Sequence, residues 1–163
     1  MKANIRFSTR LCTATALCGT LVLTSQAVFA ACAPDPSRSG YTVCDGTITG
    51  PVNAPAGTYL ETGAAISGGT IGVTVEGTAR LINLAGGRIE GTQNAVSGNG
   101  PNTITNHGEM TSGAAGEAVI DLTADAAATV TVSNSTTGTI THAVAGETAI
   151  KSNGGGLEVN NSG

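Results

Sequence analysis

Aromatic side chains are almost missing from this sequence. The 163-residue chain has no tryptophan, two tyrosines and two phenylalanines. Because aromatic side chains supply much of the buried area in ordinary cores, a conventional globular core is excluded. The core has to be built from valine, isoleucine, leucine and alanine, while 24 glycines predict many tight turns.

Positive charge is scarce beyond residue 30. Residues 31–163 hold four basic residues against eleven acidic ones, a formal net charge of −7. This balance excludes a basic surface for nucleic acid or anionic lipid. The chain also lacks a phosphate-binding glycine loop, a His-Glu-x-x-His helix and a Cys-x-x-Cys pair. We therefore predict no catalytic site, no cofactor and no metal.

Residues 1–30 have the pattern of a secretory signal peptide. Three basic residues begin the segment, an apolar stretch runs from residue 11 to residue 23, and small residues end it. The basic residues are Lys2, Arg6 and Arg10. The apolar stretch is shorter than the roughly 20 residues that span a bilayer, so export is favoured over a membrane-anchored N-terminal helix. Cleavage is predicted between Ala30 and Ala31.

Two cysteines remain after the predicted cleavage, Cys32 and Cys44. An even number of cysteines in an exported chain indicates a disulfide. Its short loop would add about 2–3 kcal/mol to stability. We expect this bond to staple an N-terminal cap, residues 31–45. The alternative is acylation of Cys32, because the preceding residues loosely match a lipoprotein box, but this would leave Cys44 as a lone thiol.

Short tripeptides of the form Gly-x-Ile or Gly-x-Met recur along residues 46–163. They are Gly46-Thr47-Ile48, Gly69-Thr70-Ile71, Gly87-Arg88-Ile89, Gly108-Glu109-Met110 and Gly138-Thr139-Ile140. Alanine followed by an aliphatic residue recurs after most of them, at Ala65-Ile66, Ala95-Val96, Ala118-Val119 and Ala149-Ile150. Repeats of roughly 20–30 residues indicate a solenoid, in which each repeat buries its apolar face against its neighbours.

One repeat, residues 103–122, shows how a single coil would form. Ile104 and Met110 alternate with polar neighbours, as in strands with one inward face. The segment Asn106-His107-Gly108 is predicted to be the turn between them, because asparagine and glycine tolerate left-handed backbone geometry. Glycine and threonine disfavour helix. We therefore predict an all-β chain with incomplete β-helix repeats over residues 46–163.

These features resemble the N-terminal part of an autotransporter passenger, the exported portion of a bacterial type V secretion protein. The resemblance rests on the signal pattern, the early cysteine pair and repeats such as residues 106–110 and 134–140. It implies a right-handed parallel β-helix of about four to five coils after a signal helix. It also implies an outer-membrane translocation barrel as partner, ligands on host or other cells, and a location in the periplasm, on the cell surface or outside the cell.

The resemblance also implies a C-terminal translocation barrel, which this sequence does not contain, since it stops in mid-repeat at Gly163; we therefore expect a fragment or a truncated gene product. It does not extend to protease-type passengers, because no Gly-Asp-Ser-Gly segment is present. We expect a structural or adhesive cell-surface stalk. The alternative is a secreted β-helix polysaccharide lyase or hydrolase whose active site lies beyond the fragment.

Two pairs of residues are candidate reactive groups. His107 and His142 follow what look like corresponding corners of successive repeats and could share a metal, although zinc sites usually have three or four ligands. Asp121 and Asp125 could form a carboxylate pair. We interpret the histidines as exposed turn residues and the aspartates as solvated surface groups.

Overall fold

The computed structural model describes residues 31–163, which form thirteen β-strands and no helix. The predicted signal segment and Ala30 lie outside the described residues, so the cleavage site stays a prediction. The strands are β1 (Ala31–Pro34), β2 (Tyr41–Asp45), β3 (Thr47–Thr49), β4 (Val52–Ala54), β5 (Tyr59–Thr62), β6 (Ala65–Val75), β7 (Arg80–Asn83), β8 (Arg88–Asn99), β9 (Thr103–Asn106), β10 (Glu109–Ser112), β11 (Ile120–Asn134), β12 (Thr139–His142) and β13 (Ile150–Asn161). The predicted all-β class is confirmed.

The sheet is mixed. At its start β1 runs antiparallel to β2, with Cys32 directly opposite Cys44. The remaining pairings among the described strands are parallel. Strand β2 belongs to both parts, because it also pairs in parallel with β5.

The parallel strands fall into three ladders. The first contains β2, β5, β7, β9 and the C-terminal parts of β11 and β13. The second contains β3, the N-terminal parts of β6 and β8, then β10 and β12. The third contains β4, the C-terminal parts of β6 and β8, and the N-terminal parts of β11 and β13. The chain visits the ladders in the same order on every pass, so neighbours within a ladder are one full pass apart.

Aliphatic side chains form a column in each ladder, and these columns lie at the centre of the core. The first column holds Leu60, Leu81, Ile104 and Val132; the second Ile48, Ile66, Ile89, Met110 and Ile140; the third Val52, Val73, Val96, Ile120 and Ile150. The inner members of each column are fully buried. Burial of each such side chain contributes about 1.5–3 kcal/mol, and stacking makes the apolar interior continuous.

In the second repeat, the Gly-x-Ile pattern identifies the wrong isoleucine as the inward residue. Ile66 stands in register with both Ile48 and Ile89, whereas Ile71, taken from the Gly-x-Ile pattern, pairs with Asn94. Ile66 is fully buried and Ile71 is only half-buried. The segment around Gly69 is a crowded corner, where a Cβ atom would lie 2.8 Å from the carbonyl oxygen of Ile71. Glycine is needed at position 69 because the backbone is closely packed there. It does not mark the beginning of a strand that directs an isoleucine into the core.

Buried asparagines form a second kind of column beside the aliphatic one of the first ladder. The Asn83 side-chain amide donates to Asn106 Oδ1 at 2.8 Å, Asn106 donates to Asn134 at 2.8 Å, and Asn134 donates to Asn161 at 2.9 Å. The four residues are separated by 23, 28 and 27 positions in the sequence. Asn83 and Asn106 are fully buried, and Asn134 is 8% exposed. We call these four residues the asparagine column.

The segment Asn106-His107-Gly108 lies at the bend between β9 and β10, as predicted, but the left-handed backbone geometry expected for it is absent. Asn106 is the last residue of β9, and neither Asn106 nor Gly108 has a positive φ. Glycine is required at 108 for a different reason, since a Cβ atom there would lie 2.8 Å from Asn83 Nδ2. Asparagine supplies the inward amide, and glycine leaves room for it.

Strand β13 forms a free edge of the described sheet, because its partner among the described strands is β11. Its core-facing residues Leu157 and Val159 are 41% and 44% exposed. An unpaired strand edge with exposed apolar side chains is a template for association with another chain.

Replacement of Asn106 by alanine should lower the free energy of unfolding by about 2–4 kcal/mol, because it leaves buried partners unpaired. The matched control is Asn161→Ala, at the exposed end of the same column, which should cost less than about 0.5 kcal/mol. Urea unfolding followed by circular dichroism measures both. Equal effects at the two positions would contradict a stabilising role for the buried amides.

The free edge should make a polypeptide of residues 31–163 self-associate as its concentration rises. Val159→Lys should reduce this association, because a charge on an edge strand opposes pairing. Val144→Lys is the control, since Val144 is also exposed (37%) but lies outside β13. Sedimentation velocity gives the oligomer distribution, and a wild-type protein that stays monomeric throughout would count against this interpretation.

Candidate functional surfaces

The two histidines do not occupy corresponding positions. Asn106 is in register with Asn134, which places His107 beside Ser135. His142 instead pairs in register with Ser112. The hypothesis that they follow equivalent corners is wrong, because His107 lies between the first and second ladders, after β9, whereas His142 ends β12 in the second ladder. His142 Nδ1 accepts a hydrogen bond from the backbone N–H of Val144 at 3.0 Å.

The two aspartates also lie in different settings. Asp121 sits on the outer side of β11, where its carboxylate accepts a 3.1 Å hydrogen bond from the Asn153 side chain and lies 3.5 Å from Lys151 Nζ. Asp125 is exposed at the irregular stretch between Ala124 and Thr129. No hydrogen bond joins the two carboxylates in the described part of the chain. Both aspartates therefore lie at the surface.

Within residues 31–163, no three or more histidine, cysteine, aspartate or glutamate side chains gather closely enough to hold a metal ion. The same residues contain no helix with the length and apolar character required to cross a membrane.

The N-terminal end of the first ladder is closed by a disulfide and by stacked side chains. Cys32 and Cys44 are bonded to each other, as the cysteine count led us to expect, and Cys44 is fully buried. On the outer side, the rings of Tyr41 and Tyr59 stack 4.4 Å apart and 12° from parallel. The sequence pattern had not singled out either tyrosine; a signal was available, because they are the only aromatic residues after residue 29.

Arginines cover both faces of this tyrosine pair. The Arg38 guanidinium lies 4.3 Å from the centre of the Tyr41 ring, and that of Arg80 lies 5.2 Å from the centre of the Tyr59 ring. Such cation–π contacts stabilise partly exposed aromatic groups. Because cations occupy both outer ring faces, we assign this four-residue stack a role in fixing the first passes of the chain.

Among the described residues, Asp35 and Arg38 have clearly shifted pKa values. The Asp35 carboxylate accepts hydrogen bonds from the Ser37 hydroxyl at 2.7 Å, from the Ser37 backbone at 2.8 Å and from Arg38 at 2.6 Å. These bonds, chiefly those from Ser37, lower the pKa of Asp35 from 3.8 to about 2. Arg38 also contacts Glu61 at 2.9 Å, and hydrogen bonds to Glu61 and Asp35 raise its pKa above the ordinary value.

A shallow depression lies across the second ladder, beside the loops that follow β10 and β12. It has a volume of about 410 Å³, and its lining includes the charged pair Arg88 and Glu90. Thr111 and Ser112 of β10 and Thr141 of β12 line much of the rest, although the hydroxyl oxygens of Thr111 and Ser112 are buried. Sequence reasoning missed this surface, because its residues come from three different passes of the chain.

No protein-family model matches the chain, and neither a curated protein nor a solved structure matches it significantly. The function therefore has to be argued from the residues and their arrangement.

Ser37→Ala should raise the pKa of Asp35 from about 2 toward 3.8, because it removes the hydroxyl donor. The stabilising contribution of Asp35 is present above its ordinary pKa and disappears as the pH falls toward 2. An NMR titration of the carboxyl carbon measures the change. Ser39→Ala, in the same loop, is the control and should leave the Asp35 titration as in wild type; an unchanged titration in Ser37→Ala would refute the assignment.

Proposed function

We propose that the chain is an exported β-solenoid of the autotransporter-passenger type, serving as a structural or adhesive stalk at the cell surface. The observation that carries this proposal is the repeated passage through three parallel ladders, with aliphatic and asparagine columns stacked inside. A molecule built in this way grows in one direction and offers an extended side surface. Such a surface suits spacing and contact with other molecules.

The finer architecture proposed here is a right-handed parallel β-helix. Each return from the third ladder to the first brings a new strand beside its parallel predecessor. Connections between parallel strands of one sheet are right-handed in about 98% of cases, because twisted strands pack back onto the sheet in that sense. The uniform order of the ladders supports one handedness for every pass.

Two independent features support export. The first is the signal pattern of residues 1–30, with its basic start, apolar middle and small-residue end. The second is the Cys32–Cys44 disulfide, since such bonds persist in oxidising compartments and are rare in the cytosol. Together they favour the periplasm or the outside of the cell over the cytoplasm.

The outward residues fit a solvated, non-aggregating side surface. Outward positions of the second ladder carry threonine in several passes, namely at Thr47, Thr49, Thr111, Thr139 and Thr141. Those of the third ladder carry amide, hydroxyl and charged groups, namely Asn53, Thr74, Ser97, Asp121 and Lys151. We infer that display at the surface would use an outer-membrane translocation barrel as partner, as it does in autotransporters.

Expression of the full chain in a Gram-negative host tests export. We expect a periplasmic product that begins at Ala31, as shown by intact mass, and whose two cysteines resist thiol labelling until they are reduced. A variant that lacks residues 2–23 is the control and should stay in the cytosol with labelled thiols. A mature chain acylated at Cys32 would support the lipoprotein alternative and contradict the disulfide-stapled form.

Fusion of the full chain to an autotransporter translocation unit tests the passenger role. We expect residues 31–163 to appear on the cell surface, where external protease releases them. The control is the same fusion with the buried residue Ile89→Asp, which should disrupt folding because an unpaired charge enters the core. A wild-type fusion that is exported to the periplasm but never displayed would argue against a passenger.

A further inference from the structure

Asparagine followed by glycine occurs twice in the sequence, at Asn99-Gly100 and at Asn153-Gly154. Asparagine is one of the thermolabile residues of proteins. Its side-chain amide is attacked by the backbone nitrogen of the next residue, and glycine hinders this attack least because it has no Cβ atom. The two dipeptides are therefore the positions at which the chain is chemically most prone to modify itself.

The two dipeptides occupy equivalent places in the third ladder. Asn99 is in register with Thr123 of β11, and Thr123 is in register with Asn153 of β13. Both asparagines are exposed to solvent. The dipeptides thus share their sequence, their strand position and their exposure, and they differ in what lies on the following pass of the chain.

The attacking nitrogen of the first dipeptide is hydrogen-bonded. The backbone N–H of Gly100 donates to the carbonyl oxygen of Thr123 at 2.7 Å. The Asn99 side chain is held as well, because its Oδ1 accepts a hydrogen bond from the backbone N–H of Gly77 at 3.1 Å. The neighbouring passes therefore restrain both the nitrogen and the amide that it would attack.

The equivalent nitrogen of the second dipeptide points away from the stack. In the third ladder, the N–H of Ile120 donates forward to Ala149 of the following pass at 3.0 Å. Ile150 is in register with Ile120, and Gly154 lies four residues further along β13. Because N–H groups alternate in direction along a strand, the N–H of Gly154 also points forward. Among the described strands β13 pairs with β11 on the opposite side, so this N–H faces solvent.

We propose that Asn153 is a site of spontaneous deamidation and that the fold protects Asn99 from the same reaction. The Gly154 nitrogen attacks Cγ of Asn153 to form a cyclic imide, and the side-chain NH₂ group leaves with the proton of that nitrogen as ammonia. Water then opens the ring at either of its carbonyl groups. One opening gives aspartate; the other gives isoaspartate, in which the backbone runs through the former side chain. The inference does not depend on the proposed stalk role.

Modification changes the outer surface of the third ladder. The Asn153 side chain donates a 3.1 Å hydrogen bond to Asp121 Oδ1, and Lys151 Nζ lies 3.5 Å from the other oxygen of that carboxylate. Conversion to aspartate replaces the donor by a second carboxylate, which Asp121 repels. Isoaspartate also adds a carbon atom to the backbone of β13 and so displaces the residues that follow relative to β11. Both products weaken the attachment of β13 to the stack.

The test follows both dipeptides in the purified full chain during storage in mildly alkaline buffer. The protein is kept at low concentration, so that pairing between copies does not cover β13. Peptide mass spectrometry measures the conversion of amide to acid at each asparagine, and chromatography separates aspartate from isoaspartate. We expect Asn153 to be converted roughly tenfold faster than Asn99 or more, because attack at Asn99 first requires local opening of a hydrogen-bonded strand.

Two controls separate the effect of the fold from that of the sequence. In concentrated urea with the disulfide reduced, neither dipeptide is held by a strand, and the two asparagines should be converted at rates within about threefold of each other. Asn153→Gln is the matched variant, because its longer side chain would have to close a larger ring. It should stay unmodified at position 153, and thermal unfolding should show it to be folded.

The proposal is overturned if Asn153 of the folded chain stays unmodified, or if Asn99 is converted as fast as Asn153. It is also overturned if the chain in urea shows the same difference between the two positions as the folded chain does. That result would attribute the difference to neighbouring residues such as Pro101, and not to the exposed edge of β13.

Discussion

The requirement that buried amides be hydrogen-bonded fixes the register of the first ladder from β7 onward. An asparagine side chain pointing into an apolar interior is costly unless it is paired. Here each amide of the column is paired with the next pass of the chain, for example Asn83 with Asn106 at 2.8 Å. A slip of one residue would turn these amides outward and the aliphatic residues with them.

The same constraint explains which positions of the repeat accept only glycine and which loops vary in length. Gly87 and Gly108 have to remain small, because a Cβ atom at either position would collide with Asn83 or with neighbouring backbone atoms. The loops that contain Gly116 and Gly146 carry no such restriction, since a Cβ atom at either glycine would meet nothing within 4 Å, and the spacing along the column varies between 23 and 28 residues. Insertions therefore accumulate at the loops around residues 113–119 and 143–149, and those loops shape the outer surface.

The two ends of the stack differ in chemistry. At the N-terminal end, an antiparallel strand, a disulfide and the arginine–tyrosine stack cover the first passes. At the other end of the described residues, β13 presents Leu157 and Val159 to solvent. Between these ends, the interior is uncharged and the outer faces are polar. Any recognition has to use those faces, because the interior is filled by the columns.

The sequence by itself determined the β class, the cysteine pair and the existence of repeats, because composition and spacing are local properties. It also identified Ile89, Met110 and Ile140 as inward residues, since each follows the same tripeptide pattern. Only the tertiary structure decided the phase of the second repeat, the inward direction of Asn106 and the separation of His107 from His142. All three features depend on which residues become neighbours in successive passes of the chain, and these passes differ in length. The depression across the second ladder was hidden for the same reason, since its residues meet only when β8, β10 and β12 stack.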